Sequence, residues 1–276
     1  MNRQKLQLLI ITLSAVMTMS VVLTSCKSST DPEETKWQIV WQDEFNGAVG
    51  QLPDTNSWGF NQGSGWGNSQ LEYDSNRPEN ASLDGAGNLV ITAIKESYKG
   101  QSYSSARIST KGKVQLTYGK VEARMKLPWG QGIWPAFWML GANEDSVTWP
   151  GCGEIDIMEL RGQLPSRING SLHGPGYSGS KAETKQYDLI DDRFDNGFHT
   201  FAVEWGVNYV KFYVDNILYQ TVASSDVAGT WVYDHPFYII MNLAVGGNYV
   251  GAPSATSTIF PQKMLIDYVR VYKEVK

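Results

Sequence analysis

Three carboxylic acids stand close together in the segment GEIDIMEL, at Glu154, Asp156 and Glu159. A pair of carboxyl groups about 5–5.5 Å apart can hydrolyse a glycosidic bond with retention of configuration. One carboxylate attacks the sugar carbon, while the other protonates the departing oxygen and then activates water. The segment is therefore a candidate catalytic site, provided that the fold brings these side chains to one face.

The spacing of the acids changes from two residues to three before Glu159. In a regular strand side chains alternate between faces, so Glu154 and Asp156 share a face but Glu159 would point into the apolar layer. An unpaired carboxylate is costly there. We therefore predict a β-bulge at Ile157 or Met158, which resets the alternation. Crowding should then raise the pKa of at least one acid.

Two other interpretations of this segment are a solvent-exposed acidic strand and a calcium site. A solvated strand more often mixes its acids with Lys, Thr and Ser, and oxygen-rich metal sites usually take ligands from loops. Catalysis is the favoured interpretation, because perturbed acids are typical of functional sites. Asp156 is placed between the glutamates, where it can tune and orient both.

The elements that must position the acids are short β segments separated by Gly, Asn, Asp and Pro, with no long helical periodicity. Residues 118–128 alternate between apolar and charged side chains, which predicts a half-buried strand. Residues 88–94 and 237–245 are apolar on both faces and predict central strands. Residues 199–222 predict three strands joined by turns at 206–208 and 215–216. The fold class is all-β, a sandwich of two sheets closed as a jelly roll.

The N-terminus has the layout of a secretory signal, because Arg3 and Lys5 precede an uncharged apolar run, Leu6–Leu23. The run leads into LTSC, ending at Cys26, which resembles the lipobox of bacterial lipoproteins. We predict a signal peptide at 1–25, a lipid-anchored tether at 26–36 and one domain at 37–276. The expected location is the bacterial cell envelope, at the outer membrane or cell surface. An uncleaved anchor and a plain secretory peptide are the alternatives.

Net charge and cysteine content limit the partners. The net charge is −5 without a basic stripe, so we expect no nucleic-acid partner, and membrane contact through the lipid anchor only. Lipidation of Cys26 leaves Cys152 without a disulfide partner, so Cys152 is expected to be a buried thiol. We expect a monomer.

GEIDIMEL, with WPAFWML before it and HTFAVEW, NLAVGG and IDYVRVY after it, resembles glycoside hydrolase family 16. The likeness is to the bulged branch that includes bacterial laminarinases, and it spans about Trp37 to Tyr272. It implies a concanavalin A-like jelly roll with a concave substrate groove, and a retaining double displacement without a cofactor. Glu154 would be the nucleophile, Asp156 the assisting carboxylate and Glu159 the general acid/base. Licheninases and xyloglucan-acting members lack the residue added at Met158.

Substrate contacts are expected mainly from aromatic and polar residues near the acids. Trp134 and Trp138 share one strand face and could carry a pyranose or simply pack in the core. The resemblance favours sugar binding for both. It adds five residues that could otherwise cover the core, form a salt bridge or satisfy backbone groups: Trp66, Asn68, Glu72, Arg107 and His173. Asn242 is a further candidate, because it is polar within an apolar run, where burial demands a partner, although it could instead satisfy backbone groups. It also suggests a structural calcium at Glu44 and Asp267, which could instead be surface or salt-bridge groups.

The expected activity is that of an endo-β-glucanase acting on β-1,3-glucan (laminarin), on mixed-linkage β-1,3-1,4-glucan, or on both. One alternative is a related hydrolase of marine galactans, of the agarase or carrageenase type. No basic cluster that would suit sulfated chains accompanies the acids. The other alternative is a surface glycan-binding protein without activity, which would gain nothing from three crowded carboxylates.

Overall fold

The computed structural model describes residues 36–275, which contain eighteen β-strands and a single turn of 3-10 helix at Gly179–Lys181. The predicted signal peptide, Cys26 and nearly all of the tether lie outside the described residues. Within them, no helix has the length and apolar character needed to cross a membrane. In chain order the strands are β1 (Lys36–Asp43), β2 (Gly59–Phe60), β3 (Glu72–Asp74), β4 (Ala81–Leu83), β5 (Leu89–Tyr98), β6 (Gln101–Ser105), β7 (Arg107–Ser109), β8 (Gln115–Leu116), β9 (Gly119–Lys126), β10 (Ile133–Gly141), β11 (Glu154–Leu160), β12 (Arg167–His173), β13 (Glu183–Asp188), β14 (His199–Gly206), β15 (Tyr209–Val214), β16 (Ile217–Ala223), β17 (Phe237–Val245) and β18 (Gln262–Val275).

The strands form two sheets, as expected for a jelly roll. The ten-stranded sheet has the order β16-β15-β14-β9-β18-β5-β6-β3, with β1 also paired to β18 and β4 to β5. The eight-stranded sheet has the order β13-β12-β11-β10-β17-β7-β2, with β8 also paired to β17. One large apolar cluster draws side chains from strands of both sheets, including Val121, Phe137, Ile155, Phe201 and Met241. The predicted all-β sandwich is confirmed.

Local sequence patterns explain the strands that frame the acids. All nine residues of β17 are buried, as predicted from its apolar character on both faces. The three strands predicted in residues 199–222 are β14, β15 and β16. The tight turn between β15 and β16 uses Asp215 and Asn216, both at positive φ (49° and 64°), where Asn and Asp are tolerated better than most residues.

The predicted bulge is present in β11. Opposite β10, Met158 pairs with Phe137 and Asp156 pairs with Trp138, so Ile157 has no partner residue of its own. The ladder to β12 shifts over the same interval, between Asp156 and Glu159. Ile157 and Met158 are both buried, with 1% and 0% of their surface exposed. Two consecutive side chains therefore enter the core, and Glu159 returns to the opposite face.

This arrangement predicts the stability of two alanine variants. Because both side chains fill the core, Ile157→Ala and Met158→Ala should each lower the free energy of unfolding by about 2–5 kcal/mol. Denaturant unfolding measures both. Ile190→Ala is the control, since Ile190 is 88% exposed and its loss should change stability by no more than about 0.5 kcal/mol. In a straight strand one of the two core residues would face outward, so a near-zero effect for either would contradict the bulge.

Candidate active site

The three acids lie on the face of the eight-stranded sheet that points away from the core, which we call the acidic face. On the β12 side, each acid is paired with a polar residue. Asp156 stands between Trp138 on β10 and Ser171 on β12, while Glu159 stands between Ala136 and Asn169. Glu154 is paired with Leu140 on β10 and with His173 on β12. The bulge thus sets three carboxyl groups along one strand on a common face.

Each glutamate accepts a hydrogen bond from an indole. The Nε1–H of Trp149 donates to Glu154 Oε2 at 3.0 Å, and the Nε1–H of Trp134 donates to Glu159 Oε1 at 3.0 Å. Trp149 comes from the loop between β10 and β11, whereas Trp134 lies on β10 itself. An indole only donates, so it stabilises the ionised carboxylate and fixes one of its oxygens.

His173 is the basic group closest to the acids. Its Nε2 lies 2.9 Å from Asp156 Oδ2 and 3.8 Å from Glu154 Oε1. Asp156 Oδ2 makes no well-aligned hydrogen bond within the described chain, so this contact is chiefly electrostatic. The backbone N–H of Gly179 donates to Nδ1 at 3.1 Å. In the neutral ring the hydrogen-bond pattern therefore assigns the proton to Nε2, facing the carboxyl groups.

Glu154, Asp156 and His173 also place potential ligand atoms within 4.8 Å of one another. A histidine that binds a metal through Nε2 normally carries its proton on Nδ1 and donates it to an outer partner. Here the Gly179 N–H points at Nδ1, so that proton would meet another donor. The hydrogen bond at Nδ1 thus suits an imidazole whose Nε2–H faces the acids better than one that ligates a metal through Nε2.

Burial raises the pKa of all three acids. Loss of hydration, reinforced by the neighbouring Asp156, raises the pKa of Glu154 to about 8. Loss of hydration and the charge of Glu154 raise the pKa of Glu159 to about 7. Burial, with the charge of Glu159, holds the pKa of Asp156 well above its usual value. The three groups cannot all be ionised at neutral pH, so the cluster retains a proton that can be transferred.

Comparison with known proteins places this geometry in a family. The profile described as "Glycosyl hydrolases family 16" matches residues 62–270, well over half of the chain. The chain belongs to glycoside hydrolase family 16. It is 38% identical over 250 residues to a beta-glucanase of Rhodothermus marinus, covering 87% of this chain and 86% of the relative.

Solved structures of family 16 agree with the two-sheet fold. The laminarinase catalytic domain of Thermotoga maritima MSB8 superimposes with a TM-score of 0.82 at 46% identity, covering 87% of this chain and 99% of that one. The endo-beta-1,3-glucanase of Pyrococcus furiosus gives a TM-score of 0.83 at 45% identity, covering 88% and 97%. This family 16 chain is therefore a glycoside hydrolase with the fold of the laminarinases it resembles.

Four of the expected substrate-binding residues form one cluster on the acidic face of this family 16 enzyme. The guanidinium of Arg107 lies between two indoles, 4.8 Å from the ring centre of Trp66 and 4.9 Å from that of Trp138. The Nε1–H of Trp138 donates to Asn242 Oδ1 at 2.8 Å. Stacking and hydrogen bonding thus hold both indoles in defined orientations, with Trp66 the more exposed at 36%.

Glu72 and Asn68 differ from the rest of the expected set. Glu72 is only 1% exposed and accepts a hydrogen bond from the Val245 N–H at 2.8 Å, so its side chain does not fit direct contact with a sugar. Burial raises its pKa to about 7, while Arg107 opposes that rise. Asn68 is exposed at positive φ, 54°, and its carbonyl accepts from the Asn248 N–H at 2.7 Å. The Glu72 carboxyl therefore holds the β17 backbone at Val245.

The sequence alone does not indicate several residues that surround the two glutamates. Trp149 lies five residues before Glu154 in TWPGCGEID, but no local pattern predicts that its indole reaches that carboxyl group. Tyr249 packs against Trp134 with ring centres 4.9 Å apart, and the Arg161 guanidinium lies 4.1 Å from the centre of the Tyr249 ring. Tyr249 lies far from Trp134 in the sequence, so no local pattern indicates this contact.

The acids suggested as calcium ligands are held by arginines instead. Arg270 donates to both carboxyl oxygens of Glu44, at 2.8 and 2.9 Å, and Arg124 pairs with Asp267 at 2.5 Å. Both oxygens of Glu44 and one oxygen of Asp267 face a guanidinium, so these side chains fit the salt-bridge interpretation better than a calcium site. Cys152 is a buried free thiol, as predicted.

The indole contacts predict a titration shift at one acid. Trp134→Phe removes a donor that stabilises ionised Glu159, so the pKa of Glu159 should rise above its wild-type value. Carboxyl ¹³C NMR titration measures it. Trp138→Phe is the matched control, because its N–H is donated to Asn242 and not to an acid. An unchanged Glu159 titration in Trp134→Phe would contradict the role given to this hydrogen bond.

Proposed function

We propose that this family 16 enzyme is a retaining endo-β-glucanase that hydrolyses β-1,3-glucan such as laminarin, and mixed-linkage β-1,3-1,4-glucan. The observation that carries the proposal is the bulged strand, which sets Glu154 and Glu159 on one face with an indole donor on each. The similar proteins include a beta-glucanase, a laminarinase and an endo-beta-1,3-glucanase, which supports the choice of substrate.

In the proposed mechanism Glu154 attacks the anomeric carbon while Glu159 donates its proton to the glycosidic oxygen. The bond between the anomeric carbon and that oxygen breaks, and a glycosyl ester forms on Glu154. Glu159, now a carboxylate, takes a proton from water as the water oxygen attacks the same carbon. The ester bond breaks, and the product keeps its β configuration. Only carboxyl chemistry is used, so no cofactor takes part.

Asp156 and His173 control where the cluster's protons reside in this proposal. Asp156 is 4% exposed and lies beside the His173 Nε2. As Glu154 loses negative charge on forming the ester, repulsion within the trio falls, and Asp156 can ionise more readily. The roles of the two glutamates follow the family motif.

We further propose that the acidic face forms the floor of an open, concave groove for internal segments of a glucan chain. Trp134, Trp138, Trp66 and Arg107 would contact pyranose rings along it, with Asn68, His173 and Asn242 supplying hydrogen bonds. Aromatic faces suit the C–H faces of sugars. Trp149 joins this set, since its ring is 49% exposed while its N–H holds Glu154.

Substrate choice is tested by digesting four polymers in parallel: laminarin, barley mixed-linkage glucan, agarose and carrageenan. We expect hydrolysis of the two glucans and not of the galactans, with internal cleavage and initial products of β configuration by ¹H NMR. Hydrolysis of a galactan alone would support the related galactanase. Binding of glucans without any turnover would support the glycan-binding protein.

The two glutamates are distinguished by azide rescue with an aryl β-glycoside whose leaving group needs no acid. Each alanine variant should lose about 10²–10⁴-fold or more in kcat on polymer. In Glu154→Ala azide should attack the sugar directly and give an α-glycosyl azide, because no enzyme ester precedes it. In Glu159→Ala azide should displace the Glu154 ester and give a β-glycosyl azide. The opposite pair of products would reverse the roles.

We also propose that the mature protein begins at Cys26, carries lipid there and is held at the bacterial envelope, at the outer membrane or cell surface. The support is the charged and apolar pattern of the first 25 residues and the LTSC sequence. A polar tether at 26–36 would separate the domain from the bilayer. We propose a monomer with no nucleic-acid partner.

The anchor predicts how the protein partitions in a bacterial host. Wild-type protein should enter the detergent phase of a Triton X-114 extraction and show acyl chains on its N-terminal peptide by mass spectrometry. Cys26→Ser should move it to the aqueous phase without loss of glucanase activity. Cys152→Ser is the matched control and should partition like the wild type. A wild-type protein found in the aqueous phase would contradict the anchor.

A further inference from the structure

A second concave surface lies on the ten-stranded sheet, whereas the acidic face belongs to the eight-stranded sheet. It is a cleft of about 520 Å³ at the point where β9 and β15 begin and β14 and β18 end. Trp37, near the start of β1, also lines it. Small-molecule sites commonly have volumes of about 300–1,000 Å³. The cleft is thus large enough for a ligand of a few rings and is separate from the acids.

Aromatic side chains line much of this cleft. Trp37, Tyr118 and Tyr209 are half-buried, and Trp205 lies beneath them at 2% exposure. Tyr118 packs edge-on against Trp205, with ring centres 5.4 Å apart. These packed rings present a rigid apolar surface, which loses little conformational entropy when a ligand covers it.

Gly206 allows the Tyr209 ring to form part of the cleft lining. A Cβ atom at this position would lie 2.4 Å from the Tyr209 ring, so only a glycine lets that ring pack against the backbone of the β14–β15 hairpin. The tyrosine edge stays polar while its face is apolar. Flat rings with polar edges are the kind of surface that matches the C–H faces and hydroxyl groups of a pyranose.

Polar groups at the rim are available to a ligand. The Asn208 amide and the Glu274 carboxylate are exposed and make no hydrogen bond or ion pair to residues 36–275. The Lys273 ammonium donates to the carbonyl groups of Thr117 and Tyr118, which leaves the third of its N–H groups. The lysine and glutamate charges cancel, so the cleft favours a neutral ligand over a polyanion.

We propose that this cleft is a second carbohydrate-binding site, which takes a short segment of neutral β-glucan. The identity of the sugar rests on the proposed function, whereas the site itself rests on the rings and the rim. A chain held at both the cleft and the acidic face would raise the effective concentration of polymer at the acids. Short oligosaccharides cannot reach both sites, so the cleft would not raise their effective concentration at the acids.

A membrane surface is the main competing occupant, because Trp37 directly follows the proposed tether. The shape of the site favours sugar. Its rings line a hollow that also holds an amide, an ammonium and a carboxylate, whereas side chains that enter a bilayer interface project from an amphipathic surface. The polar groups here would lose their hydration in lipid without gaining partners.

The test compares binding and catalysis in the full-length chain. In a Glu159→Gln background, which prevents hydrolysis, Trp37→Ala combined with Tyr209→Ala should weaken binding to insoluble β-1,3-glucan about tenfold. Sedimentation with the polymer measures this binding.

The same two substitutions are then tested for catalysis without the Glu159 change. They should leave kcat/KM on short soluble β-1,3-oligosaccharides within about twofold of wild type, since neither residue lies near the acids. Leu218→Ala, an exposed apolar change on the same sheet outside the cleft, is the control and should alter neither property.

A second double variant distinguishes a loss of binding from a loss of folding. Asn208→Ala with Glu274→Gln removes exposed groups that hold nothing else in residues 36–275, and should weaken polymer binding about two- to fivefold. Unaltered polymer binding in both double variants would overturn the second site. If the double variants lost binding to lipid vesicles but kept full binding to glucan, the second carbohydrate site would be overturned in favour of a membrane contact. Polymer that binds through the cleft but is never cleaved would contradict the proposed function alone.

Discussion

A single extra residue in β11 is the constraint on which the acidic site depends. Side chains in a strand alternate with a period of two, so an odd number of steps between two acids sends them to opposite faces. The unpartnered Ile157 changes that parity and leaves Met158 beside it in the core. The apolar layer behind the strand keeps the bulge in place, because removing it would exchange a buried methionine for a buried glutamate. Core packing and site geometry are therefore enforced by the same few residues.

Around the bulge, the groups that contact the two glutamates are hydrogen-bond donors more than charged side chains. Each glutamate is held by an indole N–H, and one of these indoles, Trp134, is itself packed against Tyr249. Arg107, half-buried on this face, is stacked between two tryptophans. The acids thus keep their raised pKa values, since no arginine within residues 36–275 forms an ion pair with them. A direct salt bridge would have lowered those pKa values and favoured loss of the proton that the cluster retains.

Much of this could be predicted from the sequence, because the relevant signals are local. Period-two alternation defined β9, apolar character on both faces defined β17, and the conflict between spacing and parity at Glu159 required the bulge. The predictions that did not hold depend on contacts between distant residues. Glu72 looked like a loop residue open to substrate, yet it accepts from Val245 on another strand. Glu44 and Asp267 were possible calcium ligands by resemblance, yet each meets an arginine on the neighbouring strand, which is distant in sequence. Trp149 was missed because only the folded loop brings its N–H to Glu154.

The burial of three acids has a consequence for the folded state as a whole. A carboxyl group with a raised pKa binds its proton more tightly when folded than when unfolded, where the value for a glutamate is about 4.3. Folding stability must then decline as pH rises from that value through the raised values of about 7 for Glu159 and about 8 for Glu154. The acidic cluster is thus expected to make the folded state less stable at alkaline pH, because the protons that its carboxyl groups retain also stabilise the native structure.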